Sequence, residues 1–174
     1  ILILFIIFLI AIFISNYFYS NNINSNKESN FNIENNIKTN SILVHQFLKN
    51  YKWQIEIPQI GLEANIEEGT NPEIINNYVG HFSQTGTMLG NIGLAAHNRG
   101  YQKNYFEKLK ELKKGDKIYY SYYCVHKRYQ VSELLIIEDT NWEVLDSSLN
   151  SELTLITCME NRPHLRRCIK AIEI

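Results

Sequence analysis

The chain has 174 residues, with 17 Lys and Arg against 18 Asp and Glu, a formal charge of −1, and 45% hydrophobic against 20% charged residues. That balance lacks the basic footprint of a dedicated nucleic-acid binder. The composition is globular only on average, because three unlike segments follow one another.

Every residue from Ile1 to Ile14 is apolar. As a helix this run reaches about 21 Å, short of the roughly 30 Å hydrocarbon core, so upstream residues or the aromatic Tyr17 to Tyr19 would complete a span. No small-x-small cleavage site follows Ser15, where bulky Tyr17, Phe18 and Tyr19 stand instead. Residues 1–19 are therefore expected to be an uncleaved membrane anchor. Residues 16–40 hold ten asparagines among Ser, Lys and Glu, too little apolar surface to offset the ordering entropy, and residues 20–40 are expected to be a flexible tether. Residues 41–174 suffice for one domain with its own core and are too few for two. Removing Lys27, Lys38, Glu28 and Glu34 takes two charges of each sign, so this domain is also near neutral.

Ser41 is placed to N-cap a short amphipathic helix carrying Ile42, Leu43, Phe47 and Leu48 up to Asn50. The period then switches to two. Strands are expected over Trp53 to Ile57, Ile60 to Ile66, Ile92 to His97, Lys117 to Tyr123, Arg128 to Ile137, Leu153 to Cys158 and Arg167 to Ile174. A helix is expected over Asn104 to Lys114, with Phe106, Leu109 and Leu112 on one side and a solvated face of Lys and interleaved Glu on the other. Gly115 and Asp116 then turn the chain. Thr140 to Glu143 fits a capping box, predicting one helical turn in the long connection before Leu153. Seven or eight strands with one or two short helices predict an all-β closed barrel. The eight glycines are scattered through turns and form no phosphate cradle, so no nucleotide site is expected.

Three cysteines, Cys124, Cys158 and Cys168, leave at least one thiol free, and no Cys pair or cluster of the five histidines has zinc-ligand spacing. No metal or cofactor is expected. Cys124 lies after an aromatic run, Tyr119, Tyr120, Tyr122 and Tyr123, where packing accounts for it. Strand alternation separates the other two. If Leu153 and Leu155 face the core, Thr154, Ile156 and Cys158 face away. If Ile92, Leu94 and Ala96 point inward, Gly93, Ala95 and His97 share the side of Cys158, and their small side chains would admit a substrate. In the last strand Ile169 and Ala171 face the core with Arg167, which projects Arg166, Cys168 and Lys170 outward. A Cys, a His and an Arg thus meet on one outer face.

Thr154-Leu155-Ile156-Thr157-Cys158 resembles, residue for residue, the Thr-Leu-x-Thr-Cys signature of sortases, the membrane-anchored cysteine transpeptidases of Gram-positive bacteria. Leu94-Ala95-Ala96-His97 resembles the strand end carrying the sortase His, though Gly is usual where Ala96 stands, and Arg166 followed by Ala171 resembles the strand carrying the sortase Arg. The three motifs stand in the family's order, the likeness runs from about Trp53 to Ile174, and the anchor and tether agree with it. The short Cys158 to Arg166 connection and His97-Asn98-Arg99-Gly100 look most like class D or class B. No Asp-Pro-Trp lid motif of the pilin-polymerising class C precedes Trp53, which favours single attachment to the wall over pilus assembly.

The resemblance implies an eight-stranded barrel and a two-step acyl transfer. Cys158 as thiolate would attack a scissile Thr-Gly-like bond in an LPxTG-like sorting signal and form a thioacyl enzyme. His97 would protonate the departing amine and later deprotonate a cell-wall peptidoglycan-precursor amine. Arg166 would offer fixed positive charge to the oxyanion or substrate backbone, and the Met159 amide a second donor. Thr157 and Ala96 would contact the substrate, and Trp142 and Leu145 would either line the pocket for an apolar signal residue or pack in the core. The partners implied are the sorting-signal peptide of secreted surface proteins, that amine and the membrane, with the catalytic domain outside the cell and the calcium requirement open. His81, in a loop-like stretch, competes with His97, and Arg167 competes with Arg166. Glu160 and Asn161 are either helpers of His97 or a surface turn. Two other readings share these residues: a thiol protease that ends in water, and a tethered β-barrel adhesin in which Cys158 is inert.

Overall fold

The computed structural model describes residues 13–16, 37–41, 43–44 and 52–174. The chain divides into two compact units, Ile1–Lys49 and Asn50–Ile174. In the first, the described residues are helical. Ser41 is itself helical, in the stretch 37–41, and its Oγ donates back to the Lys38 carbonyl at 2.7 Å, which corrects the expected N-cap: the hydroxyl serves an i−3 carbonyl instead of a free N–H. Most of the expected anchor and tether, and most of Ile42 to Asn50, lie outside the described residues. Among the described residues no helix is long and apolar enough to cross a membrane.

The second unit is a closed eight-stranded barrel. In chain order the strands are β1 (Lys52–Ile57), β2 (Leu62–Glu68), β3 (Val79–His81), β4 (Asn91–Ala95), β5 (Lys117–Tyr123), β6 (Val125–Glu138), β7 (Glu152–Met159) and β8 (Arg162–Glu173). They close in the order β1-β2-β3-β4-β7-β8-β6-β5. Two neighbouring pairs, β2 with β3 and β4 with β7, are parallel and the rest antiparallel. Parallel neighbours need a crossover. Between β2 and β3 it carries α1 (Pro72–Ile75), started by Pro72 and capped by Asn71, whose Oδ1 accepts from the Ile74 amide at 3.0 Å. Both α1 and β3 are too short to show a period, and the sequence reading missed them.

Alternation along the strands builds two apolar layers. Ile55, Ile57, Leu94, Leu153, Leu155 and Ile169 fill the barrel interior. Phe82, Leu145, Ile156 and Cys168 form a second cluster on the outer side of the wall, joined by Ala95, Leu135 and Ile137. Strands β7 and β8 contribute to both layers, so each has an apolar residue on successive positions. The capping role expected for Thr140 is not used: the single turn is a 3₁₀ turn over Glu143–Leu145, with no side-chain cap bond. Asn91 holds it instead, its Nδ2 donating to the Val144 and Asp146 carbonyls at 2.9 and 3.1 Å, while its Oδ1 accepts from Thr154 Oγ1 at 2.7 Å.

The helix expected over Asn104 to Lys114 is a 3₁₀ helix of five residues, Glu107–Glu111. Phe106, Leu109 and Leu112 are nevertheless buried in the barrel. Their spacing of three matches the 3₁₀ period, not 3.6, so the same apolar side selects the tighter helix. Cys124 is the turn residue between β5 and β6 and is exposed, which corrects the packing account of that thiol. β8 begins at Arg162, ahead of the expected Arg167. Pro163 argues against a strand there, but a bulge between Cys158 and Met159 opens the ladder at this point and tolerates it.

Candidate active site

β7 delivers Cys158 to its outer face, exposed, near the strand's end. The parallel ladder with β4 stops at Ala95 opposite Ile156, so His97 lies beyond the strand expected to carry it. Side chains continue the pairing. Thr157 Oγ1 donates to the Ala96 carbonyl at 2.7 Å, Asn98 Nδ2 donates to the Cys158 carbonyl at 2.6 Å, and Arg99 Nη2 donates to Asn161 Oδ1 at 3.1 Å. Three rungs thus hold the segment after β4 alongside Cys158 and the hairpin that follows it.

The His97 ring is fixed from two sides. Its Nε2 donates to Asn76 Oδ1 at 3.0 Å, and Tyr101 stacks on it with centroids 3.5 Å apart and planes 6° from parallel. In a neutral ring with Nε2 protonated, Nδ1 retains its lone pair. Burial lowers the His97 pKa from its ordinary 6.5 because the charged form loses water. Across the antiparallel ladder, Arg166 is the residue opposite Cys158. Its Nη1 donates to the Pro163 and Leu165 carbonyls at 2.6 and 3.0 Å, and its Nη2 lies 3.5 Å from Asp139 Oδ2. Cys158, His97 and Arg166 all line one groove of about 500 Å³, whose apolar walls include Ile137, Trp142 and Ile156.

The groove also takes in Thr157 and Ala96, both nearly buried, with the Thr157 hydroxyl committed to the Ala96 carbonyl. Trp142 is 55% exposed and meets Phe82 edge-on at 6.0 Å, an open aromatic wall. Leu145 follows the core-packing alternative and not substrate contact: it is 5% exposed and packed in the outer cluster beneath the groove. A Cβ on Gly93 would come within 2.7 Å of Leu145 Cδ2. The small residue at Gly93 therefore admits Leu145, where the alternation argument had expected substrate.

The competing residues separate cleanly. His81 is buried in β3, with Nδ1 3.0 Å from Glu68 Oε2 and Nε2 3.0 Å from both the Gly86 carbonyl and Thr85 Oγ1. It is a packed structural histidine in a strand, neither a loop residue nor part of the groove. Glu160 pairs with Lys110 at 3.5 Å and Asn161 takes the left-handed φ of 57° that a two-residue hairpin needs, so this pair is a surface turn. Cys168 is buried beneath the groove in the outer cluster, and burial pushes its thiol up to about 11. Among the described residues no three His, Cys, Asp or Glu side chains gather into a metal set. Sequence reasoning missed Asn76, Tyr101, Asn98 and Asp139; only Asn98, beside the His, carried a local signal.

Residues 55–172 match the family model for the sortase domain. The chain is similar to sortase A of Bacillus anthracis, 29% identical over 122 residues that make up 70% of this chain and 58% of that protein. It thus spans little more than half the length of that relative. Among solved structures it is similar to the Clostridium perfringens sortase D5 transpeptidase, at 28% identity and a TM-score of 0.65 over 71% of this chain and 78% of that chain. It is also similar to the pilus-related sortase C of Group B Streptococcus, at 27% identity and a TM-score of 0.65 over 71% of this chain and 68% of that chain. With the eight-stranded closed barrel and a match over nearly all of it, the chain belongs to the sortase family.

Proposed function

We propose that this protein is a cysteine transpeptidase that cleaves an LPxTG-like sorting signal and joins the acyl fragment to a cell-wall amine. The observation that carries the reading is that three separate segments bring an exposed Cys158, His97 and Arg166 to one apolar-walled groove. The peptide lies in that groove. The Cys158 thiolate attacks the scissile carbonyl, and the oxyanion is met by Arg166 and by the Met159 amide at the bulge. His97 gives a proton to the departing amine and takes one from the incoming amine. The carbonyl contacts of Arg166 and its pairing with Asp139 hold the guanidinium beside the nucleophile, which lowers the entropy of orienting it.

In this reading residues 1–19 anchor the protein in the cell membrane, with the barrel on the outer side and residues 20–40 giving reach. The job is single attachment of surface proteins. Likeness to sortase D5 supports a class D assignment, while sortases A and C match to a similar degree.

The test incubates the full chain in detergent with Leu-Pro-x-Thr-Gly-like and Asn-Pro-x-Thr-like peptides plus an amine, beside Cys158→Ala, and follows products by mass spectrometry. A thioacyl adduct on Cys158, resolved by the amine into a ligated peptide and absent in the variant, is the expected result. Cleavage indifferent to the amine would turn the reading to a thiol protease, and a folded protein silent toward all peptides would turn it to a binding module.

A further inference from the structure

The segment after β4 is folded around one ring contact. His97 and Tyr101 stand four positions apart, and their rings stack with centroids at 3.5 Å and planes 6° from parallel. The chain reverses that tightly because Gly100 takes a φ of 80°, in the left-handed region, with open space where a side chain would stand. Asn104 then clamps Tyr101 by its backbone: its Nδ2 donates to the Tyr101 carbonyl at 2.9 Å, and its Oδ1 accepts from the Tyr101 amide at 3.2 Å. The base of the loop is pinned by the Phe106 amide, which donates to the His97 carbonyl at 3.0 Å, while the Phe106 side chain is buried in the barrel. Tyr101 itself is 53% exposed and adds little to the core. Three devices thus fix an aromatic side chain whose ring contact is the imidazole.

A hydrogen bond alone does not hold an imidazole still. The bond from Nε2 to Asn76 Oδ1 at 3.0 Å selects the edge of the ring that faces Asn76. The terminal torsion of a histidine is broad, so the ring can still swing about that bond. A second ring stacked on its face removes the swing. We propose that Tyr101 is a positioning residue for proton transfer: Asn76 selects the edge of the imidazole, Tyr101 sets its plane, and together they fix the direction of the Nδ1 lone pair. The inference rests on the acid–base role of His97 proposed above and adds a residue that acts through it. The stack also suits the charged ring, because a protonated imidazole meets the electron-rich face of the phenol and gives Asn76 a stronger, charge-assisted bond. In the resting protein burial outweighs this and holds the His97 pKa below 6.5. The charged groups on the same groove are Arg99, Arg166, Glu138 and Asp139, of which Asp139 is paired with Arg166.

The experiment compares wild type, Tyr101→Ala and Tyr101→Phe as full chains in detergent, with isotope-labelled histidine and with a donor peptide and amine that give ligated product. Tyr101→Ala should lower kcat about ten-fold and change KM less than about two-fold, since what is lost is orientation, and Tyr101→Phe, which keeps the ring and drops the hydroxyl, should retain about half or more of the wild-type kcat. The denaturation midpoint should not move. By NMR the His97 ring protons of wild type should lie upfield, in the ring current of Tyr101. In Tyr101→Ala they should return downfield, and the titration midpoint should rise toward 6.5 as water regains that face. An unchanged kcat in Tyr101→Ala, a loss confined to KM, a loss matched by a lowered denaturation midpoint, or a Tyr101→Phe as slow as Tyr101→Ala would each overturn the positioning role while leaving the transpeptidase intact. His97 protons that already lie downfield in wild type would overturn the stack itself. Failure of every donor to form a thioacyl adduct would bring down the transpeptidase reading and this inference with it.

Discussion

The groove and a second, charged pocket of about 300 Å³ share four residues at Cys158 and little else. One is walled by Ile137, Trp142 and Ile156 and the other by three cations and two carboxylates. The difference comes from a strand period of two: Arg166 and Arg167 are adjacent in the chain, yet one enters the groove tied to Asp139 and the other enters the pocket with no acceptor among the described residues. A single strand thereby contributes to two unlike surfaces without lengthening the chain.

The largest effect should come from the wall common to both. Cys158→Ala should lower acyl transfer by at least about 10³-fold whichever acceptor is offered, since it removes the covalent route itself. Arg166→Ala should cost about 10²–10³-fold in the rate of thioacyl formation, on the scale of a lost oxyanion donor. Asp139→Ala, which removes only the partly exposed partner of that guanidinium, should cost no more than about five-fold. Equal losses from the two would place Asp139 among the groups that touch substrate.

The groove floor offers a test the pocket should ignore. Gly93→Val drives side-chain atoms into Leu145 Cδ2, Thr85 and Phe82, so chemical denaturation should show a loss of about 1–3 kcal/mol. The same floor hides Cys168. Iodoacetamide at neutral pH should alkylate the exposed Cys158 and Cys124 and leave Cys168, whose thiol stands at about 11, unmodified until the protein unfolds. Peptide mapping after labelling reads this out.

The smallest effect is the titration of His97. By NMR its ring should titrate below 6.5. The folded state then binds fewer protons than the unfolded state in that window, so this group's contribution to stability is complete above 6.5 and declines as pH falls through the folded pKa. A midpoint above 6.5 would mean that a negative charge, not burial, governs the imidazole.

Much of this site was legible because strand alternation is a strong signal. The inward set of Leu153, Leu155, Ile169 and Ala171 follows from period two and is found in the core, while Cys158, His97 and Arg166 line one groove even though His97 lies past the end of β4, where the period no longer applies. What escaped was whatever depends on contacts between distant segments. Asn76 is the C-cap of a four-residue helix too short to announce itself, and it reaches His97 across 21 positions. Leu145 looked like a groove residue because its partner, the bare face of Gly93, is 52 positions away in sequence and appears only when β4 is laid beside the connection. The helix expected at Asn104 failed for a local reason, since apolar residues every third position serve a 3₁₀ turn as well as an α-helix.

The rungs from Thr157 to Ala96 and from Asn98 to Cys158 join residues 61 and 60 positions apart. Contacts of such long range are entropically costly to close and form slowly. Cys158 and His97 are therefore brought into register only when β4 and β7 zip together, so that under the proposed function activity would report late folding. A chain still in the act of folding carries the thiol without an organised partner, and the proposed chemistry would begin only with closure of the ring.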